Sequence, residues 1–174
     1  MKTRVALMLS TLLLGLVSVA NAQLKAGSPE DEAYTKIEAE KNADAKLALL
    51  LDFEKKFPNT NSRTMATIYM MAMDIYSEKN NSPKIAEYGD KAIAKDPENV
   101  SALLRVSRNY SAERTNLGKA VEYAEKAKTL LGGMRSQPAP TGQTDAQWKA
   151  WLDQNAQSAD QYASYAKMLQ ERAK

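Results

Sequence analysis

The 174-residue chain contains neither cysteine nor histidine. It can form no disulfide or thiolate nucleophile, and it lacks imidazole, the commonest general base. Transition-metal sites built on imidazole or thiolate are excluded for the same reason. A phosphate-binding loop is also missing, because Gly132-Gly133 has neither the spacing nor the Lys-Ser/Thr ending of that motif. These absences predict a non-catalytic protein without a cofactor or a metal.

Glycine is scarce, with 7 residues, and no alternating strand pattern of useful length occurs. Helix start signals are frequent instead. Ser28-Pro29 reads as an N-cap followed by Pro at the first helical position, and Ser82-Pro83 repeats that signal. Asp96-Pro97 is expected to end one helix and open the next, because Pro cannot continue the preceding helix. The chain is therefore predicted to be all-α.

The first 22 residues have the organisation of a secretory signal peptide. A basic start with Lys2 and Arg4 precedes an apolar run from Val5 to Val17, and Ala20-Asn21-Ala22 matches an A-x-A cleavage site. The run is too short for a stable membrane span, which needs about 20 apolar residues. We therefore expect cleavage after Ala22, no remaining membrane span, and a periplasmic or secreted protein. An uncleaved anchor is the alternative.

The charge balance argues against a nucleic-acid partner. Cleavage removes two basic residues and no acidic one, which lowers the formal net charge from +3 by two to +1. Such a near-neutral domain lacks the clustered Lys and Arg that nucleic-acid binding requires. An exported protein without disulfides must depend on apolar packing, which suits a bacterial envelope better than a eukaryotic secretory pathway.

Two segments of the chain are similar to each other. The segment from Lys84 to Asn99 and the segment from Lys119 to Leu131 share Lys, Glu-Tyr and Lys-Ala at an offset of 35 residues. A period of that size is typical of stacked helical hairpins, since one hairpin cannot bury its apolar face alone.

This pattern resembles the tetratricopeptide repeat, two antiparallel helices in about 34 residues with a closing Pro. The middle unit, residues 65–98, matches at Tyr69, Ala72, Met73, Tyr76, Ala92 and Pro97. The next unit, residues 99–131, matches at Leu103, Val106, Ser107, Tyr110, Ala120, Ala124 and Ala127. A degenerate unit at 31–58 precedes them, with Ala33, Tyr34, Ile37, Leu50 and Phe53. The resemblance implies an α-solenoid of about three hairpins over residues 31–131. In the middle unit Ile85 and Gly89 exchange the usual small and large residues, so that helix contact must be repacked.

The remaining segments flank this array. Residues 23–30 read as a flexible lead, and residues 132–143 as a linker rich in Gly and Pro. Thr144 and Gln147 then form a capping box that opens a long amphipathic helix over residues 144–174. Its apolar stripe comprises Trp148, Trp151, Leu152, Ala156, Ala159, Tyr162, Ala163, Ala166 and Leu169. This helix is expected to cap the last repeat. A coiled-coil seam between two copies is the alternative.

The resemblance also implies a binding surface, because first helices of tetratricopeptide repeats line a concave groove for a partner segment. The groove positions would be Glu38, Thr67, Met70, Met71, Asp74, Ser101, Leu104, Arg105 and Arg108. Of these, Met70, Met71, Asp74, Arg105 and Arg108 are the candidate partner-binding residues. Arg105 and Arg108 are three apart on one helix face and can form a bidentate site for a carboxylate. Two solvated arginines are the alternative.

The function expected from these features is a non-catalytic scaffold of the bacterial periplasm that holds a partner protein or peptide. Two alternatives stay open. One is an accessory subunit of an envelope enzyme or transport complex. The other is a structural protein that forms homo-oligomers through the C-terminal helix.

Overall fold

The computed structural model describes residues 24–173, which fold into helices without any strand. The helices are α1 Pro29–Ala39, α2 Ala43–Lys56, α3 Ser62–Glu78, α4 Ser82–Lys95, α5 Val100–Ala112, α6 Leu117–Met134 and α7 Asp145–Arg172. The predicted all-α fold is confirmed. The predicted signal peptide, residues 1–22, lies outside the part of the chain that the structure describes. Within residues 24–173, no helix has the length and apolar character needed to cross a membrane.

Side-chain caps fix where most of the helices begin. Ser28 caps α1 by accepting a 3.2 Å hydrogen bond from the Asp31 amide. The capping box of α7 is complete, with Thr144 Oγ1 accepting from the Gln147 amide at 3.2 Å and Gln147 Oε1 accepting from the Thr144 amide at 2.9 Å.

The start of α4 differs from its prediction. Asn81 is the N-cap there and accepts a 3.2 Å hydrogen bond from the Lys84 amide, so Ser82 is the first helical residue. The Ser82 hydroxyl instead donates to Glu113 Oε1 at 2.7 Å. Similarly, Asp96 ends α4, but Asn99 caps α5 by accepting from the Ala102 amide at 3.0 Å. In both turns the asparagine amide oxygen reaches the amide of the third helical residue, which caps the helix one residue before Ser82 in α4 and one residue before Val100 in α5.

Consecutive helices pack side by side along the chain, as in a helical repeat array. The pairs α1–α2, α3–α4 and α5–α6 each contact the next pair, and α7 packs against both α5 and α6. One apolar core continues through all of them, with Met73, Leu103 and Val106 completely buried. This continuous burial supplies the main stabilisation of a chain that has no disulfide.

Gly89 explains how the exchanged large and small residues of the middle unit are packed. A Cβ atom at this position would lie 2.1 Å from Cγ2 of Val106 and 3.0 Å from Sδ of Met73. The missing side chain therefore lets α4 approach α3 and α5 more closely than any other residue permits. This close approach at Gly89 is the repacking of the helix contact that the sequence predicts.

Helix α7 covers the C-terminal end of the array. Its apolar stripe is buried at Trp148, Leu152, Ala159, Ala163, Ala166 and Leu169. Ion pairs flank the contact with α6, at 2.7 Å between Lys167 Nζ and Glu125 Oε1 and at 2.7 Å between Arg135 Nη2 and Asp153 Oδ1. The linker is shorter than predicted, because α6 continues through Gly132 and Gly133 to Met134. The stripe is thus covered within the chain by α5 and α6.

Candidate functional site

A cavity of about 150 Å³ opens between α5 and α7. Its walls are Ser101, Leu104, Arg105 and Arg108 from α5, and Asn155, Ser158 and Tyr162 from α7. Both sets are spaced by three and four residues, which places each set on one face of its helix. We call this cavity the α5–α7 groove. Its α5 wall consists of the four groove positions that the sequence resemblance implies for the third unit.

The groove has an apolar floor and a polar rim. Leu104 is buried at 5% exposure, and the Tyr162 ring is half-buried against the core. Ser101 and Arg108 are exposed at the rim, with Ser158 half-buried opposite them. A small apolar area surrounded by a few polar groups is the usual composition of a site that orients a bound segment.

Arg105 connects α3 to α5. Its Nη1 donates to Oδ1 of Asp74, and its Nη2 donates to Oγ of Ser77 at 3.1 Å. The Ser77 hydroxyl in turn donates to the Met73 carbonyl at 2.8 Å. Two of the predicted site residues, Asp74 and Arg105, are therefore partners of each other. The guanidinium group is held by α3 while it lines the groove.

Arg108 differs from Arg105 in this respect. Its side chain is exposed, and it makes no ion pair with any residue between 24 and 173. The two arginines of the predicted carboxylate site thus differ: the Arg105 guanidinium is held by Asp74, and the Arg108 guanidinium is available to a ligand. A bidentate fork from Arg108 alone suffices for one carboxylate.

The other predicted groove residues do not line this cavity. Met70 and Met71 are half-buried and pack against the core, so their thioether side chains fill space between helices. The Thr67 hydroxyl donates to the Arg63 carbonyl within α3 at 3.1 Å. Glu38 lies beside Tyr34 on α1, where burial and then the Glu38 carboxylate raise the pKa of the Tyr34 phenol. All four belong to helices that do not contact α7 extensively.

Sequence reasoning missed the α7 wall of the groove. Asn155 Nδ2 donates to the Trp151 carbonyl at 2.8 Å, so that its amide oxygen can still accept a hydrogen bond from a ligand. Ser158 donates to the Gln154 carbonyl at 3.0 Å. The signal that could have grouped these residues is their spacing of three and four, which places Asn155, Ser158 and Tyr162 on one face of the predicted helix. The sequence carried no signal for which neighbouring helix this face would meet.

A second polar cluster surrounds Asp90 on α4. Its Oδ2 accepts from the Tyr110 hydroxyl at 2.7 Å and from Lys119 Nζ at 2.8 Å, and its Oδ1 accepts from the Tyr123 hydroxyl at 3.0 Å. Burial and then the Asp90 hydrogen bonds raise the pKa of both phenols. Because these donors come from α5 and α6, the cluster joins three helices and is satisfied without a ligand.

Comparison with known proteins adds no identification: no family model matches the chain, and no curated protein is similar to it in sequence. The resemblance to tetratricopeptide repeats therefore depends on the residues quoted above.

Proposed function

We propose that this chain is a non-catalytic binding protein of the bacterial periplasm that holds a segment of a partner protein in the α5–α7 groove. The observation that carries the proposal is the groove itself, with its buried Leu104 floor and its exposed, unpaired Arg108. Leu104 and Arg108 are also two of the positions at which the resemblance to tetratricopeptide repeats implies a partner-binding surface.

The size of the groove favours a side chain or a chain end as its occupant. A volume of about 150 Å³ is well below the roughly 300–1,000 Å³ of pockets that enclose drug-sized ligands. An extended segment lying along the rim can insert one apolar group over Leu104 and place a carboxylate against Arg108. The acceptor oxygen of Asn155 and the hydroxyl of Tyr162 can bind backbone amides of the same segment.

The non-catalytic part of the proposal follows from the available side chains. The chain has no histidine or cysteine, and the groove walls provide only hydroxyl, amide, guanidinium and apolar groups. Among the described residues, no carboxylate lines the cavity to act as a general base. The groove is therefore suited to binding and orientation rather than bond breaking.

The location rests on the amino-terminal sequence of residues 1–22. Mass spectrometry of the protein isolated from its native envelope should find Gln23, free or cyclised, at the amino terminus. A mature species that retains Met1 would contradict export with cleavage and favour an anchored protein.

Site-specific photo-crosslinking tests the groove directly. A photoreactive amino acid at Ser101 or Ser158 should capture the same partner in the intact envelope, because both positions line the groove. The matched controls carry the probe at Glu122 on α6 and Lys36 on α1, which are exposed and do not line it. Capture of one partner at both groove positions and at neither control supports the proposal. Equal capture at all four positions would refute it.

Self-assembly through the C-terminal helix is disfavoured by the packing of α7. Six residues of its apolar stripe are buried against the rest of the chain. Burial of these six residues within the chain argues against their use as a seam for a second copy. We expect light scattering to find a monomer at micromolar concentration, and a stable dimer would favour the self-assembly alternative instead.

A further inference from the structure

A second cavity, of about 200 Å³, lies at the C-terminal end of α7. Arg114, Leu117, Leu169, Arg172 and Ala173 line it. We call it the terminal pocket. It shares no lining residue with the groove.

Two arginines from different elements converge on the terminal pocket. Arg114 lies in the turn between α5 and α6, and Arg172 is the last residue of α7. Both are exposed, and neither forms an ion pair with any residue in the range 24–173. Two like charges that line one cavity repel each other, and no carboxylate of residues 24–173 lines that cavity to offset them. An anion between them would remove that repulsion.

The start of α6 adds to the positive field of the pocket. Helix α6 begins at Leu117, and its N-cap residue Asn116 makes no side-chain hydrogen bond to the helix. The Asn116 side chain interacts with the Tyr110 hydroxyl instead. The positive end of the α6 dipole is therefore not offset by a side-chain cap.

The remaining walls are apolar. Leu117 is half-buried and Leu169 is buried at 7% exposure, so their side chains form a floor beside the guanidinium groups. A ligand that is only an ion would leave this floor in contact with water. An anion attached to a small apolar group would cover it and gain hydrophobic stabilisation.

From this arrangement we propose that the terminal pocket binds a phosphate monoester whose organic part is apolar. Such a phosphate carries a charge of about −1.5 to −2 at neutral pH, which matches two guanidinium groups better than one carboxylate does. Its oxygens fit the planar donor fork of arginine. The volume admits a head group or a small ester rather than a whole nucleotide.

The first test uses three soluble probes with the mature chain, residues 23–174, and measures binding by calorimetry and chemical-shift perturbation. Phenyl phosphate should bind more tightly than inorganic phosphate, because only the ester covers Leu117 and Leu169. Benzoate should bind more weakly than phenyl phosphate, because it carries less charge. Benzoate that binds as tightly as phenyl phosphate would overturn the assignment to a phosphate.

The second test removes the arginines. The double variant Arg114→Ala, Arg172→Ala should bind phenyl phosphate with an affinity that is about tenfold lower or weaker still. Arg114→Lys, Arg172→Lys should recover only part of it, since lysine keeps the charge without the fork. The control Lys36→Ala, Lys149→Ala removes two exposed charges outside the pocket and should bind as the wild type does. Equal losses in the alanine variant and the control would show a non-specific charge effect and overturn the proposal.

Vesicles distinguish the source of the phosphate. If a lipid head group is the natural ligand, vesicles of phosphatidylcholine with phosphatidic acid should bind the wild type and not the arginine double variant. Vesicles of phosphatidylcholine alone should bind neither. Tight binding of phenyl phosphate without vesicle binding would assign the pocket to a soluble ester. Binding of neither phenyl phosphate nor phosphatidic acid vesicles by the wild type would refute the phosphate site, and it would leave the groove proposal untouched.

Discussion

The Tyr110 hydroxyl on α5 donates a 2.7 Å hydrogen bond to the Asp90 carboxylate on α4. Tyr123 and Lys119 of α6 donate to the same carboxylate, so one acidic side chain organises three helices. Asp90 is only partly exposed, at 26% for its side chain. Its hydrogen bonds are therefore less screened by water than those of the surface ion pairs.

Replacing Asp90 by Ala should lower the free energy of unfolding by about 1–3 kcal/mol, because two phenol donors lose their acceptor in a partly buried site. Asp52→Ala is the control, since it removes an exposed carboxylate that pairs with Lys56 within α2 and with no other residue of the described chain. That change should cost about 0.5 kcal/mol or less. Urea titrations of both variants measure the difference. Similar costs for the two variants would contradict a special role for Asp90.

Phenol ionisation should reduce stability in alkaline solution. Burial raises the pKa of Tyr88 from its ordinary value of 10.0 to about 12, and the pKa values of Tyr110 and Tyr123 are also raised. A raised folded-state pKa contributes stability that is fully present below the ordinary value and is lost as pH rises through the folded value. The unfolding free energy should therefore fall as pH rises from 10 towards 12.

The variant Asp90→Asn distinguishes the two phenols that contact Asp90, those of Tyr110 and Tyr123, from the phenol of Tyr88. It should lower the pKa of Tyr110 and Tyr123, because it removes the negative charge beside them, and leave Tyr88 unchanged. Phenolate absorbance during a pH titration follows this directly. An Asn variant with an unaltered titration curve would mean that burial alone sets these pKa values.

Local features of the fold could be predicted from the sequence, and long-range pairings could not. The caps at Ser28 and Thr144 were predictable because an N-cap depends on residues within one turn. The pairing of Asp74 with Arg105 was not, although both were candidate residues, because it depends on how α3 and α5 lie side by side. For the same reason the α7 residues of the groove were missed.

Gly89→Ala should destabilise the protein despite the higher helix propensity of alanine. The propensity gain is about 1 kcal/mol, but the added Cβ would lie 2.1 Å from Val106 Cγ2. Overpacking of this kind costs about 1–3 kcal/mol or more, so the net change in unfolding free energy should be a loss. Adding Val106→Ala should relieve the clash, which a double-mutant cycle would detect as positive coupling.

The matched control for this prediction is Gly132→Ala. Gly132 is also helical, but a Cβ there would meet no atom within 4 Å. That change should stabilise the protein by about 0.5–1 kcal/mol. If both substitutions stabilise the fold, the close approach of α4 to α5 does not require glycine at position 89.

Ala166→Leu distinguishes intramolecular packing of α7 from a seam between two copies. Ala166 is completely buried in the chain's own core, so a larger side chain should lower the melting temperature through an overpacking cost of about 1–3 kcal/mol. The protein should stay monomeric by light scattering. In a coiled-coil seam, leucine would strengthen the dimer, and a raised melting temperature together with a dimer would contradict the packing described here.

Alanine substitutions at Arg105 and Arg108 should distinguish a contribution to the stability of the fold from a contribution to partner binding. Arg105→Ala removes the contacts to Asp74 and Ser77, so we expect a loss of about 0.2–1 kcal/mol of unfolding free energy along with weaker partner binding. Arg108→Ala removes an exposed side chain without an ion pair in the described chain. It should leave the melting temperature unchanged and weaken binding of an acidic partner segment about tenfold or more.

The double variant Arg105→Ala, Arg108→Ala tests whether the two side chains act in one site. Its affinity and melting temperature must be measured on the same preparation, because arginine stems can cover apolar neighbours, and Leu104 lines the same groove. Arg108→Lys should restore part of the binding lost in Arg108→Ala, since it keeps the charge but not the planar fork. Unchanged affinity at unchanged stability in the double variant would exclude the α5–α7 groove as the partner site. The fold described here would still stand, because the double variant would then have kept the stability of the wild type.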